Sequence, residues 1–178
     1  LNWGCIPTKA ILRSSEIFDY VKNATLFGID TKDVKPNLKT IIDRSRKVAK
    51  KLSNGIEYLF KKNNIKLIYG IAEINKRKAV NITVNGNVST VSAKNIIIAT
   101  GASPKKIDFS KNVNVWDYFG ALTPSEIPES LGIIGSGAIG IEFACFYQSL
   151  GTKVQVFEMQ NEILPNEDNE ISVFLRNT

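Results

Sequence analysis

The chain has 178 residues, of which 43% are hydrophobic and 22% are charged. That composition is ordinary for a globular protein and suffices for one domain or for parts of two. No apolar run is long enough to span a bilayer, so no membrane association is predicted. Two cysteines and no histidine leave too few ligands for a zinc site and exclude histidine-based acid–base chemistry from this segment.

The net charge of +6 is concentrated in one part of the chain. Residues 35–78 hold thirteen Lys or Arg against three Asp or Glu, whereas the remainder carries a net negative charge. Such a run usually keeps one face of a helix in solvent, and a nucleic-acid groove is the alternative interpretation. We favour the solvated face and predict no nucleic-acid partner.

The ends of the chain suggest a piece of something longer. It begins with Leu rather than Met, and it stops within a helical pattern over 167–177. We therefore expect an internal segment of a longer protein, from which targeting signals are not readable. A histidine used by the whole protein would lie outside this piece.

The first predicted helix runs from Thr8 to Lys22, and Pro7 suits its first turn. Cys5 then lies just before or at the helix N-terminus, where the helix dipole favours a thiolate over a thiol. Lys9, one turn further on, adds a positive charge on the same side. These residues predict a reactive sulfur, and a small buried cysteine beside a structural proline explains them equally well.

A long amphipathic helix is predicted over 37–63, because apolar residues recur there at spacings of three and four. The predicted core stripe comprises Leu38, Ile41, Ile42, Val48, Ala49, Leu52, Ile56, Leu59 and Phe60.

Short β patterns follow at 66–74, 80–84 and 88–91. Asn85-Gly86, between the last two, is a strong hairpin signal. Gly70 is predicted to mark a bulge or a strand end.

Residues 95–104 read NIIIATGASP. An all-apolar strand that ends in Thr100-Gly101 predicts a buried parallel strand whose C-terminal end lies at a ligand crevice. A linker with turns follows over 105–128, and we expect a domain boundary within 111–124.

The segment 131–158 predicts a strand, a glycine-rich turn, a helix and a second strand in succession. This is a βαβ half-unit with the dinucleotide fingerprint G-x-G-x-x-G. Gly135 permits the tight turn, Gly137 lets a pyrophosphate approach the backbone, and Gly140 lets the helix pack closely on the strand. The helix N-terminus then offers free N–H groups to the phosphates.

Glu158 ends the second strand, where a carboxylate accepts hydrogen bonds from a ribose 2′-OH. A 2′-phosphate would be repelled there, and no arginine follows within 159–161. The site is therefore predicted to prefer NAD(H) to NADP(H). Cys145, in the middle of the helix, is predicted to be a packed core thiol.

The N-terminal segment LNWGCIPTK resembles the redox-active segment of the flavin-dependent pyridine nucleotide-disulfide oxidoreductases. Cys5-Ile6-Pro7-Thr8-Lys9 matches the second half of that family's pattern C-x4-C-x-P-[ST]-K. The resemblance implies that Cys5 is the catalytic, flavin-proximal sulfur, and that the cysteine which exchanges with substrate precedes Leu1. It also implies that Lys9 approaches the flavin ring and pairs with a glutamate at the position of Glu142.

Other segments match the same family in the same order. ATGASP resembles the segment that closes its FAD domain, so Thr100, Gly101 and Ala102 are implied FAD contacts, and Gly70 is implied to lie against the adenine of FAD. The implied NAD contacts are Gly135, Ser136, Gly137, Ala138, Ile139, Gly140 and Glu158.

The implied fold class is α/β, with parts of two Rossmann-like nucleotide-binding domains. Residues 1–115 would be the FAD-binding domain, lacking its N-terminal strand and first redox cysteine. Residues 116–178 would be the N-terminal part of the NAD-binding domain. The implied cofactors are FAD and NAD.

The resemblance is greatest to family members that oxidise protein-bound dihydrolipoyl groups and reduce NAD⁺. It implies a homodimer that serves lipoyl domains and the acyltransferase core of 2-oxo acid dehydrogenase complexes. Its location would be the cytoplasm, or the mitochondrial matrix in a eukaryote. The segment alone is expected to be inactive. The alternatives are a related NAD(P)H-dependent disulfide or mercuric reductase and a non-catalytic dinucleotide-binding module.

Overall fold

The computed structural model describes residues 1–105 and 114–177. Its contacts divide the chain into two compact units, one formed by Leu1–Ser53 with Asp108–Thr178 and the other by Asn54–Ile107. The described residues form both helices and β-sheets, which confirms the α/β class. No helix within the described ranges combines the length and the apolar character needed to cross a membrane.

The predicted nucleotide-binding halves, 1–115 and 116–178, do not coincide with these compact units. The predicted boundary region spans 111–124, and its residues 111–113 lie outside the described residues. The division into two nucleotide-binding halves therefore stays a prediction.

Helix α1 spans Cys5–Lys22, so it begins three residues earlier than predicted. Gly4 is its N-cap, and Thr8 donates both its backbone N–H and its hydroxyl to the Gly4 carbonyl. Pro7 lies in the first turn, where its missing N–H costs nothing. A 3₁₀ turn at Ala24–Phe27 follows the helix.

Helix α2 spans Leu38–Lys62, close to the predicted range. Its first turns pack against the core through Leu38, Ile41 and Ile42. The prediction that the whole apolar stripe is core was wrong, because three of its members further along the helix are exposed. The exposed fractions are 42% for Leu52, 41% for Ile56 and 50% for Leu59.

The core of the first unit is built around helix α4, Ala138–Ser149. Its buried members are Ile11, Leu122, Phe143, Phe146, Tyr147 and Leu150. The rings of Phe146 and Tyr147 meet edge to face at 5.0 Å between centroids, a favoured aromatic geometry. The Tyr147 hydroxyl donates to the Ala121 carbonyl at 2.7 Å, and burial raises the pKa of that phenol above its ordinary value.

Replacing Tyr147 by Phe is expected to lower the free energy of unfolding by about 1 kcal/mol, the typical net value of one hydrogen bond. The reason is that the ring stays packed while the Ala121 carbonyl loses its donor. Urea denaturation of the full-length protein measures the change. An unchanged denaturation midpoint would show that solvent replaces this hydrogen bond without cost.

Strands β4, Ser130–Ile134, and β5, Lys153–Phe157, form a parallel pair, with Leu131 opposite Val154 and Ile133 opposite Val156. With α4 between them they form the predicted βαβ half-unit, which is confirmed. Helix α5, Asn169–Arg176, confirms the helical pattern near the C-terminus.

The predicted linker contains a short helix, α3, at Tyr118–Leu122. Asp117 caps it by accepting from the N–H groups of Phe119 and Gly120. Five residues are too few to show helical periodicity, so the sequence pattern did not reveal this helix.

The second unit contains an antiparallel sheet in the order β1-β2-β3, formed by Ile71–Ile74, Val80–Val84 and Asn87–Val91. Asn85 and Gly86 both have positive φ, 49° and 81°, as a type I′ turn requires. The predicted hairpin is confirmed.

Two strand predictions in the second unit were wrong. The first strand begins at Ile71 rather than Lys66. Residues 95–104 form no strand, and Ile97 and Ile98 are exposed by 90% and 72%. A buried parallel strand needs hydrogen-bonded neighbours, and neither sheet in the described part of the chain includes this segment.

Candidate functional site

The glycine-rich turn begins where β4 ends. Gly135 has a φ of +99°, a conformation that other residues adopt only with strain. Its N–H donates to the Phe157 carbonyl at 2.8 Å, so the turn is fixed to the end of β5. The chain therefore reverses directly from strand into helix, as the fingerprint predicts.

Gly137 is the N-cap of α4, and a Cβ built on it would meet no atom within 4 Å. The space at the helix N-terminus is therefore open. The N–H groups of Ala138, Ile139 and Gly140 lie in the first helical turn, where amides lack intrahelical partners. Open space, amides without intrahelical partners and the positive end of a helix dipole fit a pyrophosphate.

Gly140 is needed for close packing of the helix on the strand and does not keep space open for a ligand. A Cβ on it would lie 2.1 Å from the Gly135 carbonyl oxygen and 3.3 Å from a methyl group of Ile133. Only a glycine lets the first turn of α4 lie this close to the end of β4. The structure thus gives separate reasons for Gly135, Gly137 and Gly140, and their contact with a cofactor stays a prediction.

Glu158 lies next to the same turn, and its carboxylate accepts four hydrogen bonds from its own chain. Ser136 donates its N–H and its hydroxyl to Oε2, at 2.9 and 2.8 Å. The N–H groups of Met159 and Gln160 donate to Oε1, at 2.7 and 2.9 Å. These bonds, above all that from the Ser136 N–H, lower the pKa of Glu158 to about 2. The sequence predicted Glu158 as a site residue, but it did not reveal the four hydrogen bonds that its carboxylate accepts.

Because its pKa is lowered, Glu158 stabilises the fold above its ordinary value of 4.5, and this contribution is lost as the pH falls towards about 2. Replacing Glu158 by Gln removes the titrating group. The difference in urea midpoint between the two full-length proteins is expected to be equal at pH 7 and 5 and smaller at pH 4. A difference that does not change over this range would contradict the role of the carboxylate.

Cys5 is the first residue of α1, and its thiol is exposed and not in a disulfide. The interpretation as a small buried cysteine was therefore wrong. The preceding segment is held by α2: Arg46 donates to the Asn2 carbonyl at 2.6 Å and its guanidinium lies 4.0 Å from the centre of the Trp3 ring. The sulfur is thus presented to solvent at the positive end of a helix.

Lys9 and Glu142 form an ion pair between α1 and α4. The hydrogen bond to Glu142 raises the pKa of Lys9, so the ammonium is retained. A second contact joins the same helices, because the Ser149 hydroxyl donates to the Asp19 carboxylate at 2.7 Å. The pairing of Lys9 with Glu142 is present as expected, whereas the approach of Lys9 to a flavin stays a prediction.

A groove of about 530 Å³ lies between α1 and α4. Lys9, Arg13, Tyr20 and Cys145 are among its lining residues. Cys145 is exposed, so its prediction as a packed core thiol was wrong. The buried side of α4 and its C-cap is formed instead by Phe143, Phe146, Tyr147 and Leu150. Cys145 lies on a different face of the helix, which apolar neighbours in sequence did not reveal.

The implied FAD contacts of the second unit are described within that unit alone. Thr100, Gly101 and Ala102 are exposed, and Gly101 has a φ of +79° with no atom within 4 Å of a built Cβ. Gly70 is crowded instead, because a Cβ there would lie 2.8 Å from the Thr83 carbonyl oxygen. Packing against β2 therefore explains Gly70 without a cofactor, and its adenine contact stays a prediction.

This chain resembles known proteins along nearly its whole length. The family profile described as "Pyridine nucleotide-disulphide oxidoreductase" matches residues 1–178. A protein from Zymomonas mobilis named dihydrolipoyl dehydrogenase is 41% identical, over 98% of this chain and 38% of that protein. Proteins of the same name from Rhizobium etli and Acholeplasma laidlawii are 42% and 38% identical, over 99% and 97% of this chain and 40% and 52% of their own length.

The chain thus spans about two fifths of the length of the first two of these relatives, 38% and 40%. The match nevertheless extends over every residue from the cysteine segment to the helix after Glu158. On this match, which includes both the exposed cysteine and the glycine-rich turn, the chain belongs to the pyridine nucleotide-disulphide oxidoreductase family.

Proposed function

We propose that the full-length protein oxidises protein-bound dihydrolipoyl groups and reduces NAD⁺. The dithiol would give up two electrons and two protons and become a disulfide. NAD⁺ would take up a hydride, and the remaining proton would be released to solvent. The relatives from Zymomonas mobilis and Rhizobium etli, both named dihydrolipoyl dehydrogenase, support this proposal.

The observation that carries the proposal is the contact between α1 and α4. It joins the helix that begins at Cys5 to the helix that begins at the glycine-rich turn, and the Lys9–Glu142 ion pair spans it. Both helices belong to the same compact unit. This contact brings the helix that carries the candidate redox sulfur against the helix that begins at the candidate dinucleotide turn, which supports the proposal.

The surroundings of each residue suit the role proposed for it. The N-terminus of α1 favours the thiolate of Cys5, which would form the redox disulfide with the preceding cysteine and face the flavin. Lys9 holds a positive charge one turn away, and Glu142 fixes its position. The open turn at Gly137 would receive the pyrophosphate, and the Glu158 carboxylate would receive the ribose. When bound, FAD supplies a two-electron relay and NAD⁺ the final hydride acceptor.

The same proposal includes the finer assignments implied by the resemblance. The full-length protein would work as a homodimer, with lipoyl domains and the acyltransferase core of 2-oxo acid dehydrogenase complexes as partners. It would be located in the cytoplasm, or in the mitochondrial matrix of a eukaryote. Thr100, Gly101, Ala102 and Gly70 would contact FAD.

Steady-state kinetics of the full-length protein test the proposal. We expect dihydrolipoamide oxidation with NAD⁺ to have a much higher kcat/KM than with NADP⁺, because the Glu158 carboxylate would repel a 2′-phosphate. Preference for NADPH, with glutathione disulfide or mercuric ion as the acceptor, would support the reductase alternatives instead. Nucleotide binding without any turnover would support the non-catalytic module.

A further inference from the structure

We propose that the Ser136 hydroxyl competes with the adenosine ribose for Glu158, and that this competition weakens the binding of NAD(H). The inference rests on the proposed dinucleotide site. The resemblance implied only that Ser136 contacts the cofactor. Here Ser136 becomes a residue that sets nucleotide affinity through the acid.

The Glu158 carboxylate is already saturated with hydrogen bonds. A carboxylate has about four lone-pair sites that accept them. Oε2 accepts two hydrogen bonds from Ser136, and Oε1 accepts two from Met159 and Gln160. A ribose 2′-OH that donates to Glu158 must therefore displace one of these four donors.

The Ser136 hydroxyl is the donor most able to leave. The other three donors are backbone amides. Hydrogen bonds on either side of Ser136 fix the turn that carries its N–H. Gly135 donates to the Phe157 carbonyl at 2.8 Å, and Leu164 donates to the Ser136 carbonyl at 3.0 Å. Among the four donors, the hydroxyl alone turns about single bonds without moving the backbone. It is therefore the donor that exchanges with the ribose.

This exchange has a cost for the protein. Ser136 is fully buried, and its Oγ lies 2.8 Å from Oε2 of Glu158. If its hydrogen turns away, two oxygen atoms face each other at this distance through their lone pairs. The hydroxyl also loses a charge-assisted hydrogen bond, one of the stronger kinds in proteins. In the wild-type protein, both costs lower the affinity for the nucleotide.

Removing the hydroxyl is therefore expected to tighten nucleotide binding. In Ser136→Ala, Glu158 keeps the three amide donors that orient it and gains one free acceptor site. We expect the Kd of ADP-ribose for the FAD-loaded, full-length protein to fall about fivefold, the value of one ordinary hydrogen bond. ADP-ribose is the probe because it carries the adenosine ribose and pyrophosphate without redox chemistry, and calorimetry measures its Kd.

Two controls make the result specific. An ADP-ribose analogue without the adenosine 2′-hydroxyl is expected to bind wild type and Ser136→Ala equally well. Ser149→Ala removes a matched hydroxyl at the other end of α4, one that donates to the Asp19 carboxylate at 2.7 Å, and is expected to leave the Kd unchanged.

The outcomes separate this inference from the proposed function. If ADP-ribose does not bind the wild-type protein, the dinucleotide site itself is wrong. If wild type binds but Ser136→Ala binds equally or more weakly, the hydroxyl does not compete, and the inference is overturned. It is also overturned if the analogue without the 2′-hydroxyl gains equally, because the gain would then not pass through Glu158.

Discussion

Replacing Cys5 by Ser in the full-length protein is expected to abolish the NAD⁺-dependent oxidation of dihydrolipoamide. Serine keeps the size of the side chain and its place at the start of α1, but an alcohol can neither form a disulfide nor pass on its electrons. The loss should appear in kcat, because no dithiol electrons would enter the enzyme. Steady-state assays measure the turnover, and the absorbance spectrum of the reduced enzyme should also lose any long-wavelength thiolate–flavin band.

Cys145→Ser is the matched control for this experiment. Cys145 is also exposed and also not in a disulfide, but it lies in the middle of α4 rather than at a helix N-terminus. We expect this variant to keep wild-type turnover and spectrum. If Cys5→Ser retains substantial turnover, or if Cys145→Ser loses it, the assignment of the redox sulfur fails.

Replacing Gly140 by Ala is expected to have the second large effect. The new Cβ would lie 2.1 Å from the Gly135 carbonyl oxygen, and this backbone atom can move only if the turn moves. We expect a loss of about 3 kcal/mol in the free energy of unfolding, at the upper end of ordinary overpacking. ADP-ribose binding should be lost with it, because the turn that holds the pyrophosphate is displaced.

The Gly137→Ala variant separates the role of the turn in stability from its proposed role in nucleotide binding. A Cβ at Gly137 meets no protein atom within 4 Å, and the residue has a φ of −65° that alanine adopts without strain. We therefore expect wild-type stability within about 1 kcal/mol, as for surface substitutions. The methyl group would nevertheless occupy the space left for the pyrophosphate. Denaturation and calorimetry on both variants test the pair, and tight ADP-ribose binding by Gly137→Ala would refute the cradle.

The features that the sequence predicted well are those set by neighbouring residues. The hairpin at Asn85-Gly86 follows from two residues that tolerate positive φ. The βαβ half-unit follows from two apolar strands, a G-x-G-x-x-G turn and a helix that ends just before Gly151. In each case the local sequence pattern predicts the contacts that the structure shows. The prediction therefore required no knowledge of distant segments.

The features that it missed depend on distant partners or on the phase of a helix. The apolar residues 95–100 have the composition of a buried strand, but a strand forms only where other strands pair with it. Cys145 has apolar neighbours in sequence, yet its position around α4 places it beside the groove. The four donors to Glu158 come from two loops, and only the folded backbone brings them together.

In the proposed reaction, electrons from a dithiol pass through the redox disulfide that includes Cys5 to the flavin and leave on NAD⁺. The most direct test is an anaerobic titration of the FAD-loaded, full-length protein with dihydrolipoamide, followed by excess NAD⁺, with the flavin and NADH spectra recorded throughout. We expect dihydrolipoamide to change the flavin spectrum, NAD⁺ to restore it, and NADH to form in an amount equal to the dithiol oxidised. A flavin that dihydrolipoamide leaves oxidised, while NADPH reduces it readily, would rule out this electron path.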